Sequence, residues 1–290
     1  MKRTSIIAVL LALGLGSSAL AKPLETFVAS VQMPAWLERG GVKRPLAAGT
    51  SLDSNDIVST GTGARLLLQL PEGSTVKLGE NAVLRLDTLS NADGQSSPFK
   101  AALNVVTGAF RFTTGLLSKP RRREVDIQIA TITAGIRGTD IWGKSNNEKD
   151  LVCLLEGKIQ VKHPQAQPLE MTEPLTFYVA DKGQAPKPVS GVPQDKLKEW
   201  AAETEIQAGN GAGSHEGRWR VILGRYSKQA EALSLYDQLR DGGYAVKIRT
   251  GHGKGKYSVQ LTNLASEADA KAAGSHLQAA FMTPLAIIGR

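Results

Sequence analysis

The residues best suited to bind another molecule alternate with apolar residues in three short segments near the C-terminus. Successive side chains of a β-strand point to opposite faces, so the apolar set would face a core and the other set solvent. Three cations and one large apolar residue then share the outward face, which favours a binding surface over an ordinary solvated sheet. The predicted members are Arg220, Ile222, Lys247, Arg249, Ser258 and Gln260, with Lys254 and Lys256 at the rim.

Residues that could support catalysis lack the arrangement that a reaction requires. Ser214, His215 and Glu216 are contiguous in a glycine-rich stretch that would not hold a catalytic triad rigid. The spacing of the four histidines does not indicate metal ligation, and no pattern brings two carboxylates to glycosidase spacing. We therefore expect no catalytic residue, no metal and no cofactor. A wall-cleaving enzyme with an unrecognised site stays an alternative.

The single cysteine, Cys153, excludes an internal disulfide. It lies in the apolar run 151–155, whereas a reactive thiolate needs a polar, partly exposed setting with a basic partner. We predict a buried structural residue.

The N-terminus has the pattern of a signal peptide, residues 1–21. Two basic residues precede an apolar run over residues 6–15, and residues 19–21 (Ala-Leu-Ala) form a small-x-small cleavage pattern. The run is shorter than the roughly 20 residues that span a bilayer, although an uncleaved anchor is the competing interpretation. We expect cleavage after Ala21 and a periplasmic or secreted chain without stable membrane insertion.

The excess positive charge of the remaining chain is confined to its C-terminal quarter. Residues 218–290 contain 11 Lys and Arg against 5 Asp and Glu, whereas residues 22–217 contain 22 of each. A basic module usually suggests nucleic acid, but an exported chain does not meet that partner. The charge therefore indicates an anionic wall polymer or a membrane surface. A shallow basic face suits an extended polymer better than a small molecule, which prefers a concave pocket.

Residues 218–290 contain an internal repeat with an offset of 38 residues, which places Val221 on Val259 and Leu239 on Leu277. Each copy is predicted as strand, helix and strand. Two such units predict a four-stranded antiparallel sheet with both helices on one face, the ferredoxin-like βαββαβ arrangement. The other sheet face would be the binding face. The predicted apolar stripes of the helices are Ala232, Leu235, Tyr236 and Leu239, then Ala270, Ala273 and Leu277.

Residues 22–188 are predicted to form short strands separated by turns. Residues 75–78 and 82–86 alternate apolar and polar side chains, which is typical of half-buried strands. Many short strands at this spacing predict an all-β sandwich or roll. The other predicted strands span residues 64–70, 102–106, 109–113, 125–132, 151–155, 159–162 and 175–179.

Residues 189–217 are predicted to be a Pro/Gly-rich linker with one short helix. The helix would span about 195–207, with Trp200 on its apolar face. Glycine and proline gather on both sides of it, so we expect flexibility at both ends. The fold class is then an α+β multidomain protein.

The sequence of the C-terminal module matches the pattern of a known family. Residues 221–226 (VILGRY) follow a V-Q-x-G-x-F opening, and the helix spacing continues to Gly243 and Tyr244. On these residues the module resembles a SPOR domain, the sporulation-related repeat. The resemblance implies binding to septal peptidoglycan across the exposed sheet face, preferentially to glycan strands stripped of stem peptides. The basic face agrees with this, because muramic acid carboxylates make the glycan anionic.

A second set of motifs lies within residues 49–161. Residues 56–61 (DIVSTG) and 155–161 (LEGKIQV) flank the most specific one, the triplet Arg137, Gly138 and Thr139. On these motifs the segment is similar to a FecR domain. We favour a structural role for the triplet over a ligand site. Its glycine would lie in a tight turn, and the arginine and threonine would hold that turn by hydrogen bonds. The signalling role of the transmembrane member that gives the family its name does not transfer to a chain without a cytoplasmic segment.

Three functions remain open from the sequence. The favoured one is a wall-binding module that targets a FecR-like interaction domain, with another envelope protein as its partner, to sites of peptidoglycan remodelling such as division septa. The second is an envelope sensor that acts through the FecR-like domain. The third is a wall hydrolase.

Overall fold

The computed structural model describes residues 25–90, 99–115, 123–136, 138–253, 255–283 and 287–290. The predicted signal peptide, Arg137 and Lys254 lie outside the described residues. Within these ranges the chain is mostly strand with three helices, which confirms a β-rich part followed by a part that combines helices and strands. None of the three helices is both long and apolar enough to cross a membrane.

Up to Asp181, in what we call the β-rich region, the described elements are strands. Buried and partly exposed residues alternate along many of them, as the sequence pattern predicts. The strands are β1 (Thr26–Gln32), β2 (Ala35–Arg39), β3 (Val42–Pro45), β4 (Ser51–Leu52), β5 (Ile57–Thr60), β6 (Arg65–Gln69), β7 (Thr75–Leu78), β8 (Val83–Leu89), β9 (Phe99–Thr113), β10 (Arg123–Ile129), β11 (Ile132–Ile136), β12 (Asp140–Ser145), β13 (Lys149–Glu156), β14 (Ile159–His163), β15 (Ala166–Met171) and β16 (Thr176–Asp181).

These strands form two sheets that share β9. The first sheet has the order β1-β6-β7-β9-β12-β13-β16. The second has the order β3-β2-β5-β8-β9-β10-β11-β14-β15. Neighbours are antiparallel except β9 and β10, which are parallel. One buried cluster contains residues of both sheets, among them Leu66 and Phe110 from the first and Leu84 and Leu103 from the second.

The passage of β9 between the sheets occurs at Gly108. Its φ is +90°, and a Cβ there would lie 2.4 Å from the Cα of Ala82, so the position requires glycine. The prediction of two strands, 102–106 and 109–113, is wrong because this glycine redirects one strand without ending it. The single strand predicted over 125–132 is also wrong, since Ala130, with φ +45°, turns the chain between β10 and β11.

Residues 182–217, the connecting segment, contain β17 (Ser190–Gly191), α1 (Gln194–Thr204) and β18 (Ala212–Ser214). Helix α1 corresponds to the predicted short helix and packs against the first sheet. The indole of Trp200 stacks on that of Trp142, with ring centroids 4.7 Å apart and planes 1° from parallel. Glu203 forms an ion pair with Lys144 on β12 at 2.8 Å.

Strand β18 connects the β-rich region to the rest of the chain. Its three residues pair with residues 30–32 of β1, and Gly213 also pairs with Leu264. Just before β18, the carboxylate of Asp269 accepts hydrogen bonds from the backbone N–H groups of Gly209, Gly211 and Ala212 at 2.9, 3.1 and 3.1 Å. The flexibility expected after the helix is therefore at odds with the structure, because this stretch is hydrogen-bonded on both sides.

Residues 218–290, the C-terminal module, form a sheet in the order β20-β21-β19-β22 with antiparallel neighbours. Helices α2 and α3 pack on one face of it, and the apolar stripes predicted for them are buried there, with Tyr236 partly so. The elements are β19 (Trp219–Tyr226), α2 (Gln229–Asp241), β20 (Lys247–Thr250), β21 (Tyr257–Leu264), α3 (Glu267–Phe281) and β22 (Ile287–Gly289).

The β-rich region and the C-terminal module also meet directly after α2. The backbone N–H of Ala35 donates to the carbonyl of Gly243 at 3.2 Å. Gly243 has φ +86°, and a Cβ there would lie 2.6 Å from the Trp36 ring. Met33 packs against the buried clusters of both parts. The two parts are thus in close contact at this junction.

Candidate functional site

The face of the module sheet opposite the helices carries the predicted binding residues. Because directly paired residues in an antiparallel sheet point to the same side, the register defines a row from Ile287 through Ile222 and Gln260 to Lys247. Arg249 pairs with Ser258 in the next row. The guanidinium of Arg220 lies over β22, since a Cβ on Gly289 would be 3.2 Å from its Nε.

Sequence alternation missed one cation of this face, Arg225. Strict alternation places Arg225 on the helix side with Val221 and Leu223. In the structure β19 has a bulge at residues 223–224, after which Arg225 pairs with Ser258. Arg225 is exposed and stands opposite Arg249 across Ser258. The only sequence signal for the bulge is Gly224 inside a strand pattern.

Two predicted members of the face are much less accessible than expected. Ile222 is 8 % exposed and Gln260 7 %, because both lie on the two central strands between flanking side chains. The amide of Gln260 donates to the hydroxyl of Ser258 at 2.7 Å, while its carbonyl oxygen is buried without a hydrogen-bond partner in the described part of the chain. The exposed apolar group of the row is Ile287, at 50 %.

The acidic residues of the module all lie on the side of the helices. All five carboxylates of residues 218–290 belong to α2 and α3. Two of them neutralise lysines on the helix side, Glu231 with Lys228 and Glu267 with Lys271. We call the opposite side the basic face; its cations are Arg220, Arg225, Lys247 and Arg249, and none forms an ion pair within the described residues.

The predicted rim of the basic face is the loop before β21. Lys256 is exposed, with its Nζ 5.1 Å from the centre of the Tyr257 ring. A Cβ on Gly255 would lie 3.4 Å from the Cβ of Arg225, so this loop borders the face. Lys254 lies outside the described residues. The arrangement offers several unpaired cations on a shallow surface, which suits an extended polyanion.

Gly138 and Thr139, the described residues of the β-rich region's signature, lie in a tight turn. Gly138 has φ +64°, and the backbone N–H of Thr139 donates to the hydroxyl of Thr114 at 2.9 Å. A Cβ on Gly157 would lie 2.5 Å from the carbonyl oxygen of Gly138. The hydroxyl of Thr139, which the sequence predicts to hydrogen-bond this turn, is buried without a partner in the described part of the chain, and Arg137 falls outside the described residues.

The residues considered for catalysis are dispersed. His276 hydrogen-bonds the hydroxyl of Tyr244 at 2.9 Å, His163 accepts from the backbone of Gln165, and His215 packs beside Phe27. Cys153 is fully buried, and desolvation, followed by the charge of Asp140, raises its pKa to about 12. No group of three metal-ligating side chains occurs among the described residues.

The fold and the basic face define a two-part protein: a β-rich region joined to a module with one open, cationic sheet face. Comparison with protein families gives names to both parts. The family model described as "SPOR domain" matches residues 216–287, and the one described as "FecR protein" matches residues 56–160. The chain therefore combines a FecR domain with a C-terminal SPOR domain, as the motifs predict. SPOR domains bind peptidoglycan in the cell envelope, and FecR-like domains mediate protein interactions.

Comparison with individual proteins adds little. No curated protein matches the chain. Two crystal structures of a candidate anti-sigma factor from Parabacteroides distasonis align with 78 % of this chain and with 92 % and 91 % of theirs, at 15 % and 13 % identity. Their TM-scores of 0.41 and 0.40 are too low to support a conclusion about fold or function.

Proposed function

We propose that this is a periplasmic peptidoglycan-binding protein whose SPOR domain holds the FecR domain, and with it another envelope protein, at the cell wall of division septa. The basic face is the contact with the glycan. The observation that carries the proposal is the separation of charge in the SPOR domain, with four unpaired cations on one side and all five carboxylates on the other. Within the SPOR domain, an anionic polymer is therefore attracted more strongly to the basic face than to the side that carries the carboxylates.

The dimensions of the face suit a strand of glycan. Arg225 and Arg249 lie on either side of β21, and neighbouring strands are about 4.8 Å apart, so the backbone positions that carry these two cations are separated by roughly 10 Å. Lys247 and Arg220 extend the cationic area along the strands. A carboxylate-bearing chain lying across β21 can therefore meet cations on both sides of it.

The proposal assigns binding to the chain and leaves catalysis to other proteins. The FecR domain contributes a rigid body held by one core and linked to the SPOR domain through β18. Its partner in the proposal is an envelope protein. Nucleic acid is excluded by location, since the signal peptide places the chain outside the cytoplasm in this proposal.

Co-sedimentation of the mature chain with purified sacculi tests the binding. We expect the chain to sediment, and to do so more completely after amidase removes the stem peptides. The double variant Arg225→Ser/Arg249→Ser should lose about tenfold in affinity at low salt, because two unpaired cations are removed. The control Lys228→Ser/Lys271→Ser removes the same charge from the helix side and should bind as the parent does.

Other results would contradict parts of the proposal. Absence of sedimentation with either form of sacculi refutes wall binding, and equal loss in both variants moves the contact away from the basic face. Release of soluble muropeptides by the purified chain would establish an enzyme instead. A fluorescent fusion of the full chain should collect at septa, and an even distribution along the envelope would refute septal targeting.

A further inference from the structure

A second cationic concavity lies where the β-rich region meets the end of α2. It is a cleft of about 290 Å³, lined by residues of the hairpin β2–β3 and by the last turn of α2. The cleft is on the helix side of the C-terminal module, so it is distinct from the basic face. It exists only when the two parts of the chain are docked. Its lining residues are Trp36, Lys43, Arg44, Pro45, Arg240 and Asp241.

The cleft has one aromatic wall. Trp36 is held in place, because Gly61 and Gly243 both lie so close to the ring that a Cβ on either would approach it within 3.4 Å. The Nζ of Lys43 lies 4.6 Å from the centre of the Trp36 ring. A flat indole with a cation over its ring is therefore fixed at the junction.

The charges around this wall favour an anion. Among the residues that line the cleft, Lys43, Arg44 and Arg240 supply three cations against the single carboxylate of Asp241. Glu38 is the strand partner of Lys43 across the hairpin but is not part of the lining. Arg240 is half-buried and stacks on the Tyr236 ring, with its Cζ 5.1 Å from the centroid, so its position is set before a ligand arrives. None of these four charged groups forms an ion pair within the described residues.

The volume of the cleft and the chemistry of its lining residues together indicate the class of ligand. The volume is at the small end of ligand pockets and fits a sugar unit. One face of a pyranose ring is apolar and would stack on the indole in place of the Lys43 ammonium. That ammonium and the other two cations would then pair with a carboxylate on the sugar. An acidic peptide would use the cations and leave the wall unused. A lipid surface would need more apolar area than Val42, the one large exposed apolar residue of this hairpin, provides.

From this geometry we infer that the junction cleft is a second saccharide site, which takes a carboxylate-bearing amino sugar between the FecR and SPOR domains. This inference rests on the proposed function, because the sugar would come from the glycan of the cell wall. A glycan end or a neighbouring strand bound there would contact both domains. Wall binding would then favour the docked arrangement of the domains, because the cleft is complete only in that arrangement.

Soluble peptide-free glycan fragments that contain muramic acid are the probe. For the mature chain, Lys43→Ser/Arg44→Ser should weaken binding about five- to tenfold at low salt, since two exposed cations are lost. The matched control Lys158→Ser/Lys162→Ser removes the same charge from exposed positions around β14 and should bind as the parent does. Equal affinity of the junction variant and the parent would overturn the site.

A lysine footprint gives a measurement that needs no substitution at the cleft. The glycan should protect Lys43 from acetylation, also in the variant Arg225→Ser/Arg249→Ser. If the glycan does not protect Lys43, or protects it in the parent but not in that variant, the junction cleft is not an independent site, and binding at the basic face is unaffected by this result. If the glycan does not bind the chain at all, both proposals are refuted. Neutral chito-oligosaccharides should protect less. Equal protection by polyglutamate or by phosphatidylglycerol vesicles would refute the saccharide class.

Discussion

At the scale of single residues, Cys153 shows how burial removes reactivity. The thiol lies beneath α1 in a cluster with Trp142 and Val179, and desolvation first, then the charge of Asp140, raises its pKa to about 12. At pH 8 the thiolate fraction is then negligible, and the thiolate is the form that reacts. The sequence predicts this correctly, because an apolar run without basic neighbours is enough to bury a small side chain.

We expect Cys153 in the folded chain to resist a thiol-reactive disulfide reagent at pH 8. In guanidinium chloride it should react at the rate of a model thiol, because unfolding restores its ordinary pKa. The measurement is the absorbance of the released chromophore over time. Rapid reaction of the native chain would show that the first sheet opens at this point.

Asp150 is a buried carboxylate with a structural task. Burial alone would raise its pKa, but hydrogen bonds from Lys182, Thr131 and Ser145 together outweigh that effect and hold the pKa below its usual value. These bonds connect the turn after β10 to β12 and to the end of β16. A lowered pKa in the folded state means that the ionised form stabilises the fold.

We expect Asp150→Asn to lower the free energy of unfolding at pH 7 by about 1.5 to 3 kcal/mol, the range for a hydrogen bond to a charged group. The contribution of the parent carboxylate is complete above the unfolded-state pKa, near 4. It is lost as the pH falls through the lower folded-state pKa. Urea unfolding at pH 7 and pH 3 should therefore show the difference between parent and variant shrinking at pH 3. A constant difference would contradict the assignment.

At the scale of elements, α1 is attached to the first sheet by few groups. Trp200 stacks on Trp142 and meets Phe177 edge-on, and acidic residues at the C-terminal end of the helix pair with Lys77, Arg111 and Lys144. Most other side chains of α1 are exposed. The helix therefore depends on the two aromatic contacts of Trp200 and on ion pairs that salt weakens.

We expect Trp200→Ala to release α1. The stack and the buried indole area together contribute about 1 to 3 kcal/mol. Amide hydrogen exchange in residues 194–204 should accelerate by one to two orders of magnitude at neutral pH, as about 1.4 kcal/mol is tenfold. Lys198→Ala, on the exposed side of the same helix, is the control. Unchanged exchange in the tryptophan variant would show that the ion pairs suffice.

Helices and their apolar faces follow from the sequence more directly than strand boundaries do. The stripe of Ala232, Leu235 and Leu239 is set by local periodicity, and it is buried as predicted. The crossing of β9 at Gly108 and the bulge before Arg225 depend on which strand lies alongside, and a single sequence does not contain that information. The close contacts of the connecting segment could not be predicted from its composition for the same reason. A glycine-rich stretch suggests flexibility, but these glycines allow close packing against β21 and α3.

At the scale of the whole molecule, the FecR and SPOR domains are joined through backbone pairing. We expect the segment 205–217 to resist limited proteolysis by a broad-specificity protease, because β18 is paired on both sides and Asp269 holds the residues before it. Mass spectrometry of the early fragments is the measurement. A first cut inside 205–217 that yields two stable domains would contradict this expectation and restore a flexible linker.

The pairing of β18 with both β1 and β21 also has a mechanical consequence. The wall of a growing cell is stretched by turgor, and a protein bound to it by one domain and to a partner by the other is placed under tension. Slack linkers lengthen under such tension and transmit nothing until they are straight. In the proposed function the load would pass at once into backbone hydrogen bonds of β18, so that movement of the wall at the SPOR domain would displace the partner held by the FecR domain.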